Sequence, residues 1–508
     1  MARGRTQSVG LCGGAAGLVA LYASSAIALT NAQVQQNLYD FFQRYGLEIR
    51  VGEEVQEGDT LWLRDLEMTG RLADGQFWLS IGVPELSLTE TADNAVAIAY
   101  PPRISFAFGE TEAVSTPTSV QFAIALENMQ VRATGDDAQD LTYEYSADRL
   151  AMGELDLSGA GADGSAKGDF AFIFDGVGGR SRVVQDSSQY RVEDNFTAQS
   201  FSYRIEYQDS SEGSALLQSG KIEDFAIRIA EVLPAGSAGR SFTAALFDES
   251  ASFELWLDQG PGQGRGVDDF RPRGQRTLDT KSARSRMRLA IKQGEVEIES
   301  TTQEVTYGVA ENGLPPFSVG MAQLGLQLKM PVVASEAERD AALALRVNGF
   351  RINDSTWDLI DESRLFPRDP VNLEIDLAGK MRLLTTLFEW DMESPPPFDL
   401  HRLTLNHFLL DLLGAQLTGQ GEITFETNTP PNQEGWSPPI GQATWNLLGG
   451  QALLSRLADA GLIDTSMEAF VRGLVHQFTT VEPGEDSLSL TVEFSPEGHL
   501  LLNGQRLH

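Results

Sequence analysis

All five histidines of this chain, His401, His407, His476, His499 and His508, lie beyond residue 400. The first 400 residues therefore offer no imidazole as a general base or metal ligand. His401 and His407 are six residues apart, an even spacing that puts both on one face of a strand. A metal pair there is one reading, and ordinary surface or edge histidines is the better one. Cys12 is the only cysteine and sits in the apolar N-terminal segment, preceded by Leu11 rather than the small residue of a lipoprotein signal. A chain that loses this segment has no disulfide, thiolate or cysteine-based zinc chemistry.

Carboxylates are the abundant reactive group, with 72 Asp plus Glu, so an Asp/Glu dyad in the sequence carries little information. The turn with Asp136, Asp137 and Asp140 could hold Ca²⁺ loosely but lacks the alternating ligand spacing of a dedicated loop. There is no Gly-x-Ser-x-Gly elbow and no His-Glu-x-x-His helix. Gly220-Lys221 and Gly379-Lys380 lack the upstream glycine and following hydroxyl of a phosphate loop. No catalytic, cofactor-binding or metal residue is assigned on these grounds, and the expectation is a protein that is not an enzyme.

Charge narrows the partners. With 38 Lys plus Arg against the 72 acids, the 508 residues carry a formal charge of −34. Such a surface repels phosphate, which argues against nucleic acid and against adsorption to anionic lipid headgroups. The N-terminus has the form of an export signal. Arg3 and Arg5 precede an uncharged stretch from Ser8, and Ala26-Ile27-Ala28 has small residues where cleavage requires them. Residues 1–28 are thus expected to be a signal peptide, and their removal takes the charge from −34 to −36. An uncleaved inner-membrane anchor is the lesser reading. No integral span is expected after cleavage, and the expected location is the periplasm.

The elements that would follow are mainly strands. Leu38, Phe41, Phe42 and Tyr45 fall at helical spacing, and Gly46 then offers a stop. From Leu47 the period becomes two, as in Leu86/Leu88, Phe225/Ile227/Ile229 and Phe253/Leu255/Leu257. Residues 258–283 are rich in Gly and Pro and read as a linker or loop. Strands resume with a legible hairpin. Folding about Gln293-Gly294 sets Ile291 against Val296 and Leu289 against Ile298 on the apolar face. On the other face it sets Lys292 against Glu295 and Arg288 against Glu299.

Near the end, Leu453, Leu454 and Leu457 mark one helix. Thr465/Glu468 then caps a second carrying Met467, Phe470, Val471, Leu474, Val475 and Phe478. This stripe is expected to bury Phe470 and Leu474 against the strands. The predicted fold class is mainly β, or β-rich α+β: large antiparallel, curved sheets with one N-terminal helix and a C-terminal helical hairpin (about 451–478). The expected layout is a β-rich region over 29–257, the linker over 258–283 and a second β-rich region over 284–508.

Particular segments carry a resemblance. They are Asn348-Gly349-Phe350, Trp357 with Pro367-Arg368-Asp369-Pro370, Leu377-Ala378-Gly379 and Leu403-Thr404-Leu405-Asn406. Gly414-Ala415-Gln416-Leu417-Thr418-Gly419-Gln420-Gly421, Leu448-Gly449-Gly450 and the closing Asn503-Gly504-Gln505-Arg506 complete the set. Together they resemble the alphaproteobacterial family catalogued as domain of unknown function 2125. That resemblance implies an exported, β-rich protein and supplies no catalytic residue. A more distant similarity of architecture to AsmA-like envelope proteins implies long curved sheets and lipid-related roles. The expected function is a non-enzymatic envelope binding or scaffold protein, one version of which has an apolar groove for lipid. The alternative is a carboxylate-based periplasmic hydrolase.

Overall fold

The computed structural model describes residues 28–72, 77–110, 119–158, 166–209, 213–237, 247–270, 274–391, 394–425, 438–478, 480–481 and 486–507. The expected signal segment up to residue 27 and His508 lie outside them. The first element is helix α1 (Asn31–Arg44). Thr30 starts it with a capping box: its hydroxyl accepts from Gln33 N–H at 3.3 Å, and Gln33 Oε1 accepts from Thr30 N–H at 2.9 Å. Leu38, Phe41 and Phe42 pack on the N-terminal core as their spacing predicts, and Val34, wholly buried, extends the stripe by a turn. Gly46, at φ +79°, takes the left-handed conformation that ends the helix.

The 27 described strands form one antiparallel sheet. Nearly every strand pairs with its neighbour in sequence, so the chain meanders from one end to the other. A mainly β chain with an N-terminal helix was legible; that its strands form a single sheet was not. An open sheet of this many strands must curl, since twist accumulates from strand to strand. At its N-terminal end the sheet encloses a core with α1, in which Leu61, Leu63, Leu88 and Leu141 are fully or almost fully buried.

Strands β16 (Arg284–Lys292) and β17 (Glu295–Glu311) pair in the expected register, Ile291 with Val296, Leu289 with Ile298 and Lys292 with Glu295. Gln293 and Gly294 both have positive φ (53° and 72°), the two-residue turn whose twist suits a hairpin. One detail differs. Glu295 takes its ion pairs from Lys329 (3.1 Å) and Arg339 (3.6 Å) on the far side.

The expected linker is strand. Most of the described residues of 258–283 fall in β13 (Ser252–Gln259), β14 (Gly262–Phe270) and β15 (Gly274–Ser282). β13 and β14 lie end to end along one long strand, β12 (Ser214–Pro234). The glycines misled because they serve packing. Gly220 and Gly264 are Cα partners, and the Tyr203 side chain lies over both. A Cβ on Gly264 would sit 2.7 Å from the Tyr203 hydroxyl.

A short helix, α2 (Asp354–Ile360), was not foreseen; seven residues give too few turns for a periodic signal. The C-terminal pair is present as α3 (Gly450–Asp459) and α4 (Thr465–Phe478). Two expectations about it need correction. Asp464, not Thr465, caps α4, its carboxylate accepting from Met467 N–H at 2.7 Å, while Glu468 turns to Arg472. And Phe470 is 61% exposed and Met467 50%. Among the described side chains of α4, Val471 and Val475 face the sheet and α3, while that of Leu474, expected to be buried with Phe470, lies outside those described.

Candidate binding surface

One row of residues crosses twelve strands of the sheet without a polar side chain. In successive Cα pairs it runs Ile229, Leu255, Leu289, Ile298, Leu328 and Leu343. It continues through Leu377, Leu405, Gly421, Ala443, Val492 and Leu502. At ~4.8 Å per strand the row is roughly 50 Å long. A second row beside it, Ile227, Leu257, Met287, Ser300, Leu326, Leu345 and Ile375, has Ser300 as its polar member. Toward the N-terminal end this face passes into phenylalanines: Phe225 meets Phe174, Phe196 and Phe201 at ring separations of 5.5, 6.4 and 5.4 Å.

The rows are not a closed core. Leu343 is 38% exposed and Leu326 36%, and the other members of the long row are half-buried. Among the described residues, the clusters of fully buried apolar side chains all lie at or before Ala251. The opposite face of the same strands is charged. Arg288 meets Glu254, Glu297 and Glu299 at 3.1–3.3 Å, and Lys380 meets Asp340 at 2.6 Å. The sheet thus has one ionic face and one continuous apolar face that no second layer of described residues closes.

At the C-terminal end α3 and α4 stand over the apolar face and leave a cavity of about 450 Å³. Leu447 and Leu488 form its floor, and Leu453, Leu454, Leu457, Val471 and Val475 its walls. Asp486 fixes the base of α3 by accepting from Gln451 and Ala452 N–H, both at 2.9 Å. Nearby, several of the resemblance segments converge on a more polar cleft of about 720 Å³ lined by Asn348, Gly349, Asp369, Asp411, Gln416 and Gly449. There Asn372 accepts from Gly349 N–H (2.9 Å) and donates to Asp411 (3.2 Å), which also accepts from Gln416 (2.8 Å).

The other candidates are dispersed. His401 accompanies Glu338 (2.7 Å) and His407 faces Glu374 (3.9 Å), and irregular pairings lie at His401 and Asn406 between them. Asp140 is bonded by Arg182 at 2.8 and 3.0 Å, which holds its carboxyl below the ordinary range, while Asp137 accepts from Gln139 N–H. Among the described residues no group of three or more His, Cys, Asp or Glu is placed to hold a metal ion. Nor is any helix among them long and apolar enough to cross a membrane.

One buried polar cluster had no sequence signal. At the end of α1, the Tyr45 hydroxyl donates to Glu231, and the Arg44 guanidinium lies 4.1 Å from the Tyr190 ring centre. Burial pushes the Glu231 carboxyl above its ordinary range, against the lowering effects of Tyr45 and Arg44. Its members come from three distant elements, which spacing cannot bring together. The long rows were missed for a related reason. Each strand's alternation is visible in sequence, but the alignment of twelve strands depends on every turn between them. Comparison with known protein families, with curated proteins and with solved structures finds no match to this chain.

Proposed function

We propose that this protein is an exported, non-enzymatic binding protein that holds the hydrocarbon of an envelope lipid along the apolar face of its sheet. The observation that carries this reading is the unbroken row from Ile229 to Leu502. Soluble proteins rarely leave contiguous apolar patches larger than a few hundred Å² uncovered, and a long one marks an interaction surface. Covering it is worth ~25 cal/mol per Å², and a flexible hydrocarbon chain can follow a curled sheet. A scaffold would be expected to close its core along the sheet; here the clusters of buried apolar side chains lie at or before Ala251 and the long row stays half-covered. The strong negative charge favours uncharged or zwitterionic lipid over anionic headgroups.

Export is part of the same proposal. Leu29, the first residue after the expected cleavage site, is 2% exposed, and Thr30 caps α1, so the mature start would be packed. N-terminal sequencing of periplasmic protein should begin at Leu29; an intact Met1 in the cytoplasm would remove the export reading.

Photo-crosslinking tests the lipid surface. A photoreactive residue at Leu328, Leu343 or Leu377 should capture lipid in cells. The same residue at Gln327 or Asp376, on the ionic face, should not. Equal capture on both faces, or none on the apolar one, would refute the reading. The alternative hydrolase would use a cleft with paired carboxylates, such as the one where Asp369 and Asp411 both appear. Asp411→Asn abolishing a hydrolytic activity would favour it.

A further inference from the structure

The chamber under the helical pair differs from the open lane in being walled on several sides. Its volume of about 450 Å³ falls in the ~300–1,000 Å³ range of ligand pockets. Leu447 and Leu488 on its floor are Cα partners. Along the same two strands the next pairs on that face are Trp445 with Leu490 and Ala443 with Val492, the last belonging to the lane. The chamber is therefore the end of the apolar face, roofed by α3 and α4. One charged side chain lines it, Arg472. Arg472 Nε and Nη2 donate to Glu468 at 3.0 and 2.9 Å, and Nη2 also donates to Ser455 Oγ at 2.7 Å. Its Nη1 makes no hydrogen bond among the described residues.

A polar ligand would leave its donors and acceptors unpaired against these leucines and valines. A pure hydrocarbon would gain nothing from Arg472. A hydrocarbon chain ending in oxygens satisfies both. We propose that the chamber takes a single acyl chain, with its carboxylate or ester oxygens at Arg472 Nη1. This rests on the reading of the sheet face as a lipid surface, which would lead chains to the chamber. Glu468 and Ser455 hold the guanidinium at the chamber wall, where its side chain is 40% exposed.

The test uses the full mature chain titrated calorimetrically with oleate, a free acid, and with monomeric oleoyl lysophosphatidylcholine, an acyl ester. Leu454→Trp should fill the chamber and weaken both probes at least tenfold, and Val471→Phe should do the same from the opposite wall if Leu454→Trp fails to fold. Arg472→Gln should weaken oleate about tenfold with an unchanged melting temperature. Tighter wild-type binding of oleate would identify the free acid as the source, and tighter binding of the lysolipid the ester. Gln327→Glu, on the ionic face and outside both chamber and lane, should leave binding of both probes unchanged. Folded Leu454→Trp or Val471→Phe protein that binds both probes like wild type would overturn the chamber site and leave the lane reading standing. Binding removed by Leu343→Glu but not by the chamber variants would do the same. Wild-type protein that binds neither probe would overturn both.

Discussion

At the scale of single residues, Glu231 shows what a long-range contact adds. Glu231 is 4% exposed, and its carboxylate accepts from the Tyr45 hydroxyl at the end of α1. Burial raises its pKa in the folded protein above the unfolded value. The folded state therefore binds the proton more tightly, and its stabilising effect is complete below the unfolded pKa. That stability is lost as pH rises through the folded pKa. Glu231→Gln keeps a hydrogen-bonding group opposite Tyr45 and cannot ionise. The melting temperature of wild type should fall across this window relative to the Gln variant; parallel profiles would show that the carboxyl is not buried in solution. A second residue-scale prediction concerns Gly294, at φ +72° and with Val333 3.0 Å from where a Cβ would stand. Gly294→Ala should cost ~1–2 kcal/mol from the left-handed conformation alone, read as a lower urea midpoint.

At the scale of elements, strands and helices were legible where local chemistry decided them. The hairpin about Gln293-Gly294 announced its register because apolar residues and opposite charges alternate on both sides of a turn of the right length. Residues 258–283 were not legible. Their glycines look like loop punctuation, yet Gly264 is bare so that the Tyr203 side chain can lie over it, a reason that sits two strands away. The C-terminal pair was half legible. Its helices follow from spacing, but which side of α4 is covered depends on where α3 lies. Phe470 faces solvent while Val471, one residue on, faces the chamber. Phe470→Ala should then shift stability by no more than about 0.5 kcal/mol, the ordinary surface value. A loss of several kcal/mol on thermal melting would mean that Phe470 is covered in solution. Of the candidate surface itself, the sequence shows the apolar half of each strand but not that twelve of them line up. That alignment is the sum of all the intervening turns.

At the scale of the whole molecule, the sheet is stabilised differently at its two ends. The N-terminal end has α1 and a closed core in which Leu88 is fully buried. Beyond Ala251 buried side chains such as Val332 and Leu383 are scattered rather than clustered, and the long row is only half-covered. This difference can be measured with the same substitution at two places. Leu88→Ala empties a closed site and should cost ~2–5 kcal/mol, the range for leucine truncation in a packed core. Leu343→Ala removes a side chain that is 38% exposed and has less buried area to lose. It should cost well under half as much in urea unfolding, provided the protein is stripped of lipid. Added lipid should then stabilise wild type more than Leu343→Ala, because a ligand that binds only the folded state adds stability in proportion to its affinity. Equal costs at the two sites without lipid would mean that the row is already covered by protein in solution. The apolar face would then be an interface between chains, and the lipid surface proposed here would not exist.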